Sequence, residues 1–373
     1  MPFTRVVTAP AAALPCNATW EKIGLFFTPA TGRSANSQAH RRWTTAHGRA
    51  LVEQGLPLFE TLWEHGHREA LHSRSATLLP LWSSETDFDD AHPTTGESVV
   101  QALFGQVIGR HALVNRLQQQ ALCFEESFFE VAHKHMLGSR QLVEADADKR
   151  AMYRAFSRTL LRRFCPSCQA RASGSAKKVV LFTTEACDTW SSESAERAYH
   201  CVENGSLPFS SLSADSGRAI LNKKDLLTEL QRYGRNITVV NSQGLTLRAR
   251  MELVQEADII VGPTGSWMVD LLWAQPGKAY IELGSFQSNM GKQGGYMRGY
   301  VDIFTTWQEL ALAMELRLFV YADKWSPHRA ETNSHTNPIY VDAKEIRSIL
   351  TQVVDSAGGG VGGVFLQLPL SGL

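Results

Sequence analysis

"ADIIVGPTGSWMVDLLWAQPGKAYIELG", residues 257–284, places two apolar runs, IIVG and AYIELG, on either side of a turn-rich loop and an apolar segment. Short apolar runs punctuated by Gly and Pro read as buried strands, and the apolar segment between them reads as a helix. A strand, a glycine loop, a helix and a second strand make a half-unit of the kind that holds a phosphate. Gly262 and Gly265 let a ligand approach the backbone closely. Thr264 or Ser266 is placed to cap the helix, whose free N–H groups and positive end suit an anion. The loop lacks the closing Lys-Ser/Thr of a P-loop and is not GxGxxG. The alternative is a plain strand-to-helix turn.

The same alternation continues on both sides. KKVVLFTT (177–184) is a strand, KKDLLTELQRYG a helix ending at Gly234, NITVVNS a strand and LTLRARMELVQEA a helix. Strands alternating with helices predict an α/β fold with a doubly wound, mostly parallel sheet. In such sheets ligands bind beyond the carboxyl ends of the strands, where this loop lies. Glu282 ends one of those strands, as a ligand for ribose hydroxyls or as an edge-of-sheet acid. Downstream, FQSNMGKQGGYMRGY carries Lys292 and Arg298 among glycines, either folding over a substrate or serving as a plain loop. VDAKEIRSILTQVVDSA closes the regular structure as an amphipathic helix, followed by a flexible tail, 356–373.

Upstream, DKRAMYRAFSRTLLRRF (148–164) reads as a basic amphipathic helix with Tyr153, Phe156, Leu160, Leu161 and Phe164 as its buried stripe. CPSCQARASGSAKK follows and is the best linker composition in the chain. These features predict an N-terminal α/β lobe over 1–165, a linker over 166–176 and a C-terminal Rossmann-like lobe over 177–355. Within the first lobe, residues 46–64 carry helical apolar spacing with Pro57 as the interruption.

Composition removes several classes of function. With 373 residues, 43% hydrophobic and 20% charged, the chain reads as a globular protein of about two domains. Lys plus Arg and Asp plus Glu both number 37, which argues against general nucleic-acid binding. No apolar run reaches the roughly 18 residues a membrane helix needs. The first twenty residues, broken by Pro10 and Pro15, read as neither a signal peptide nor an anchor. Six cysteines do not make a disulfide scaffold in a chain this long. Cys165-Pro-Ser-Cys168 supplies two metal ligands at most, and Cys187 and Cys201 lie outside zinc spacing. The pair trails a helix, unlike a redox motif, so it is a disulfide or two ordinary thiols. Asn17, Asn204 and Asn236 head glycosylation sequons, usable if the chain enters the secretory pathway.

Residues 257–284 resemble the signature of glycosyltransferase family 61. There a hydrophobic strand leads into Gly-Pro-His-Gly-Ala-Gly, a helix rich in Leu and aromatics, Pro-Pro-Gly, and a strand ending in Glu-Leu. Further segments resemble the family in order: Gly48-Arg49-Ala-Leu-Val-Glu53 with Pro57-Leu-Phe, Cys123-Phe-Glu-Glu, Arg218-Ala-Ile-Leu-Asn222, and LTLRARMELVQEADIIVG. The chain departs from the pattern at Thr264 and Arg49, where the family has histidines. It also departs at Trp267, where the family's second glycine stands, and a Trp there narrows the space for a phosphate or sugar.

The resemblance implies a two-lobed, GT-B-like transferase that takes a sugar from a nucleotide donor, commonly UDP-linked, with inversion. The acceptor would be a protein-bound or polysaccharide hydroxyl, and the setting the Golgi or ER lumen. Inversion needs a base for the acceptor proton, and Glu53 matches the family's acidic position, with His47 as a stand-in. Positive charge on the departing diphosphate would come from Arg218 and the helix after Gly265, with no metal or other cofactor required. Asn222 caps the next helix or touches the ligand. Gly262, Thr264, Gly265 and Ser266 complete the expected donor site. The competing reading is a degenerate relative that kept the fold and acts as a binding or scaffold protein.

Overall fold

The computed structural model describes residues 19–27, 55–73, 76–80, 105–107, 122–128, 147–170, 177–183, 199–202, 219–234, 236–241, 245–263, 266–285, 306–323 and 339–356. The chain divides into two units, Met1–Lys134 and His135–Leu373.

The first unit contains β1 (Thr19–Phe27), α1 (Leu56–Glu64), α2 (Arg68–Ser73), β2 (Ala76–Pro80), β3 (Gly105–Val107) and β4 (Leu122–Phe128). Among the described residues its four strands form one parallel sheet in the order β3-β2-β1-β4. Gly24 on β1 has no room for a side chain, because a Cβ there would meet the Phe124 ring at 2.8 Å. Residues 46–54 of the expected interrupted helix lie outside the described residues, whereas Pro57 is described. It sits in the first turn of α1, where a missing N–H costs no intrahelical bond. Leu56, Leu58, Phe59 and Leu62 bury that helix's inner face. After it, His67 Nε2 lies 2.8 Å from Glu126 Oε2, pinning the α1–α2 turn to β4.

The second unit opens with α3 (Ala147–Phe164) and a 3-10 turn (Pro166–Ala170). It continues through β5 (Lys178–Thr183), β6 (Tyr199–Val202), α4 (Lys223–Gln231), β7 (Asn236–Asn241), α5 (Leu247–Glu256) and β8 (Ile259–Pro263). A 3-10 helix (Ser266–Trp273), β9 (Ala279–Ser285), α6 (Thr306–Ala313), β10 (Arg317–Asp323) and α7 (Ala343–Asp355) complete it. The six strands among the described residues run parallel in the order β10-β9-β8-β5-β7-β6. From β5 the chain moves to the β7 side and then returns to build β8, β9 and β10 on the other side. The direction of winding reverses between β5 and β8.

Strand alternation sends successive side chains to opposite faces. Val179, Leu181, Val239, Val261 and Ile281 face a core shared with α4 and α7. Phe182, Ile260, Gly262, Tyr280 and Glu282 occupy the other parity, against the layer that holds α5, the 3-10 helix, α6 and α3. Two helices are capped by side chains. The Thr246 hydroxyl accepts from the Ala249 amide at 3.2 Å, and the Asp342 carboxylate accepts from the Lys344 and Glu345 amides.

Helix α3 buries Met152, Tyr153, Phe156, Ser157, Leu160 and Leu161, which includes most of the expected stripe, while Phe164 is half-buried. Composition puts the lobe boundary after this helix, at 165, whereas the division by contacts falls before it, at Lys134/His135. The reason is packing. Ser157 Oγ donates to the Leu272 carbonyl, and Arg154 Nη1 reaches Glu315 Oε2 at 3.0 Å, so the helix covers the layer that follows it in sequence. Its end is closed by a buried Cys165–Cys168 disulfide. The expected linker therefore begins with a structured turn, and residues 171–176 lie outside the described residues.

Candidate functional site at the carboxyl end of the larger sheet

β8 is built from Ile259-Ile260-Val261-Gly262-Pro263, every residue buried. It lies between β5 and β9, so its carboxyl end borders the reversal of the winding. That border is where open parallel sheets bind ligands. Pro263 and Ser266 are the described ends of the loop, and the 3-10 helix starts directly after it.

Trp267, Asp270 and Trp273 recur every three residues, and a helix with three residues per turn stacks them along one edge. The stack is bonded internally, since Trp273 Nε1 donates to Asp270 Oδ1 at 3.1 Å. Every described side chain from Trp267 to Trp273 is buried.

Trp267 is buried. Its ring lies flat on Phe182, with centroids 4.2 Å apart, and its edge meets Tyr280. Its Nε1 donates to the Pro263 carbonyl at 2.5 Å, bridging the loop from one end to the other. The ring also explains Gly262. A Cβ there would stand 2.5 Å from the indole and 2.9 Å from Phe182. Glycine is needed at this point for the Trp beside it, whatever a ligand needs.

Arg250 of α5 grips Asp270 with two parallel bonds, Nε to Oδ2 at 2.8 Å and Nη2 to Oδ1 at 2.8 Å. Burial pushes the Asp270 carboxyl above its usual range, and Arg250 pulls it part of the way back.

The expected site residues fall into two groups. Glu53, His47, Arg218, Thr264, Gly265, Lys292 and Arg298 lie outside the described residues, as does the side chain of Ser266. Gly262, Asn222 and Glu282 are described. Asn222 occupies the cap position of α4 but caps no amide. Its carboxamide instead pairs with Val341 in both directions, donating to the carbonyl at 2.6 Å and accepting from the amide at 2.8 Å. Glu282 is fully buried on β9, an internal strand, in register with Gly262 and Val320. It is not an edge-of-sheet acid.

Two polar residues at the same end of the sheet went unread in the sequence: Thr183 on β5 and Asn241 on β7 are buried and in register with each other. Their signal was a polar residue closing an apolar strand. Among the described residues, no group of three or more His, Cys, Asp or Glu is placed to hold a metal ion.

The family model described as Glycosyltransferase 61 matches residues 193–281, a span that runs from just before β6 into β9 and contains β8 and the loop. This segment is similar to the glycosyltransferase 61 family. The match takes in the strand, the loop, the 3-10 helix and the start of β9, and supports a glycosyltransferase at the level of the family. No curated protein matches the chain. No helix among the described residues is long and apolar enough to cross a membrane.

Proposed function

We propose that the chain transfers a sugar from a nucleotide donor, UDP-linked, to a protein-bound or polysaccharide hydroxyl, with inversion at the anomeric carbon. The observation that carries this reading is the position of the family-matched loop, at the carboxyl end of β8 beside the reversal in winding. In this scheme the backbone around Gly262, Thr264, Gly265 and Ser266 receives the diphosphate. N–H groups fixed in advance stabilise charge that develops as the leaving group departs. Arg218, just ahead of α4, adds a guanidinium suited to two-pronged phosphate contact. The acceptor oxygen attacks the anomeric carbon, its proton passes to the Glu53 carboxylate, and the bond from that carbon to the diphosphate breaks, releasing UDP. His47 is the alternative base. The scheme assigns no step to Asn222, whose carboxamide pairs with Val341, or to the fully buried Glu282.

The scheme needs no metal, because the loop amides and Arg218 supply the neutralising charge. It places the acceptor on the first unit in a GT-B-like arrangement, and the protein in the Golgi or ER lumen. A second reading, a relative that has kept the fold without catalysis, is favoured by one observation. The Trp267 indole occupies the space against Gly262 where a smaller residue would leave room.

Calorimetry with UDP, UDP-GlcNAc and UDP-xylose, followed by hydrolysis assays on whichever binds, separates the two. The transferase reading expects binding that Arg218→Ala weakens at least tenfold and turnover that Glu53→Ala abolishes. Binding without turnover supports the non-catalytic relative, and absence of binding at millimolar nucleotide sinks the donor site.

A further inference from the structure

Strand β7 begins with Asn236-Ile237-Thr238, and the alternation of a strand sets these side chains on two faces. Ile237 joins the core shared with α4 and α7, in line with Val239. Asn236 and Thr238 share the opposite face, where Asn236 is exposed and Thr238 half-buried. Val180, beside Thr238 on β5, is buried, so among the described residues the cover on this face falls away toward β7.

Gly234 fixes how the strand starts. A Cβ there would stand 2.7 Å from Val179 and 3.0 Å from the Lys177 carbonyl oxygen, so the chain leaving α4 lies tight against the start of β5. Asn236 then stands at the amino rim of the sheet, in register with Lys178. Asparagine is depleted in strands, and the Thr two positions on makes this one a sequon. An N-linked glycan is bulky and hydrated, so a folded chain carries one only where it can stand in water. Asn236 meets that condition. The rise of the strand sets it about 17 Å from Asn241 at the carboxyl end of β7. A glycan at the amino rim leaves the donor end of the sheet uncovered.

A second observation points to the compartment in which sequons are used. Cys165 and Cys168 are joined, and both are buried. Such bridges form and persist in the lumen of the secretory pathway and are rare in the cytosol.

We propose that Asn236 is a modification site that takes an N-linked oligosaccharide from a lipid diphosphate carrier. The amide nitrogen bonds to the anomeric carbon and gives up one proton, while the bond from that carbon to the carrier's diphosphate breaks. The proposal rests on the lumenal setting of the proposed transferase and not on its donor loop. Asn17 and Asn204, which head the other sequons, lie outside the described residues.

The test sends the full chain into the lumen of cultured secretory cells behind an added signal peptide. Digestion with peptide N-glycosidase converts a glycosylated Asn side chain to a carboxylic acid, which peptide mass spectrometry reads at Asn236. The expected result is a glycan on most recovered chains, lost completely in Asn236→Gln and in Thr238→Val and kept in Thr238→Ser. Recovered parent chains with Asn236 unmodified overturn the site, as does a conversion that survives Thr238→Val. A chain that does not enter the lumen behind that leader also overturns it, together with the lumenal setting. UDP binding, measured on the same sample, keeps the two readings apart. A bare Asn236 on chains that bind UDP sinks the site alone, and a glycan on chains that do not bind UDP upholds the site while the donor reading fails.

Discussion

On one face of the larger sheet, Glu229 of α4 is 4% exposed and receives both arms of Arg347 of α7, at 2.8 and 2.7 Å. On the other face, Asp270 is 1% exposed and receives both arms of Arg250. Both acids are nearly closed to solvent and each meets an arginine fork, yet they shift in opposite directions. The hydrogen-bonded Arg347, with Arg232 beside it, holds the Glu229 carboxyl below its ordinary value, while burial pushes Asp270 above its own. At Asp270 the acid's own desolvation outweighs its partner, and at Glu229 it does not. Arg347 is 46% exposed and keeps much of its hydration, whereas Arg250 is 9% exposed and was taken out of water along with its partner. A pair whose cation stays wet holds the acid ionised, and a pair buried whole does not fully offset the cost of burial.

The signs carry over to stability. Glu229 has a depressed folded value, so its contribution is present above the unfolded value, near 4.5, and is lost as pH falls through the folded one. Asp270 has a raised folded value, so its contribution is fully present below the unfolded value, near 3.8, and is lost as pH rises through the folded one. At neutral pH one acid works for the fold and the other is tolerated by it.

The comparison breaks most readily at Asp270. Asp270→Ala leaves Arg250 buried without its partner, and a loss of about 3–5 kcal/mol in urea unfolding is expected. A loss under about 1 kcal/mol would mean that water reaches Arg250 after all. Next in size is Gly262→Ala, which drives a methyl into the Trp267 indole and Phe182. A loss of about 1–3 kcal/mol is expected, with a changed Trp emission spectrum. An unchanged spectrum and stability would show that the indole is not seated there. The smallest effect is at the wet pair. Glu229→Gln lowers the thermal midpoint at neutral pH, and the gap to the parent narrows as pH falls below 4.5, because the parent then loses the same interaction. A gap that stays constant from about pH 7 to pH 3 would remove Arg347 as the cause.

Part of this architecture was legible because it is written in local patterns. The buried runs of β5, β7, β8 and β9, the stripe of α3 and the caps at Thr246 and Asp342 all follow from periodicity and side-chain chemistry within a few residues. The loop stood out for the same reason, and the family match falls on it. What periodicity missed needed partners far along the chain. Arg250 and Asp270 look like two surface charges in sequence, twenty positions apart, and become a buried pair only when α5 and the 3-10 helix meet. Asn222 looks like a cap until Val341, more than a hundred positions away, occupies its carboxamide.

Sequence by itself determined an α/β chain with parallel strands, a glycine loop after an apolar strand, and a family 61 segment around that loop, since each is a property of neighbouring residues. Tertiary structure alone decided that Gly262 serves Trp267, that Glu282 is sealed within the sheet, and that α3 belongs with the second unit. Burial and bond partners depend on which surfaces meet across the sheet, and no short window of sequence contains that information.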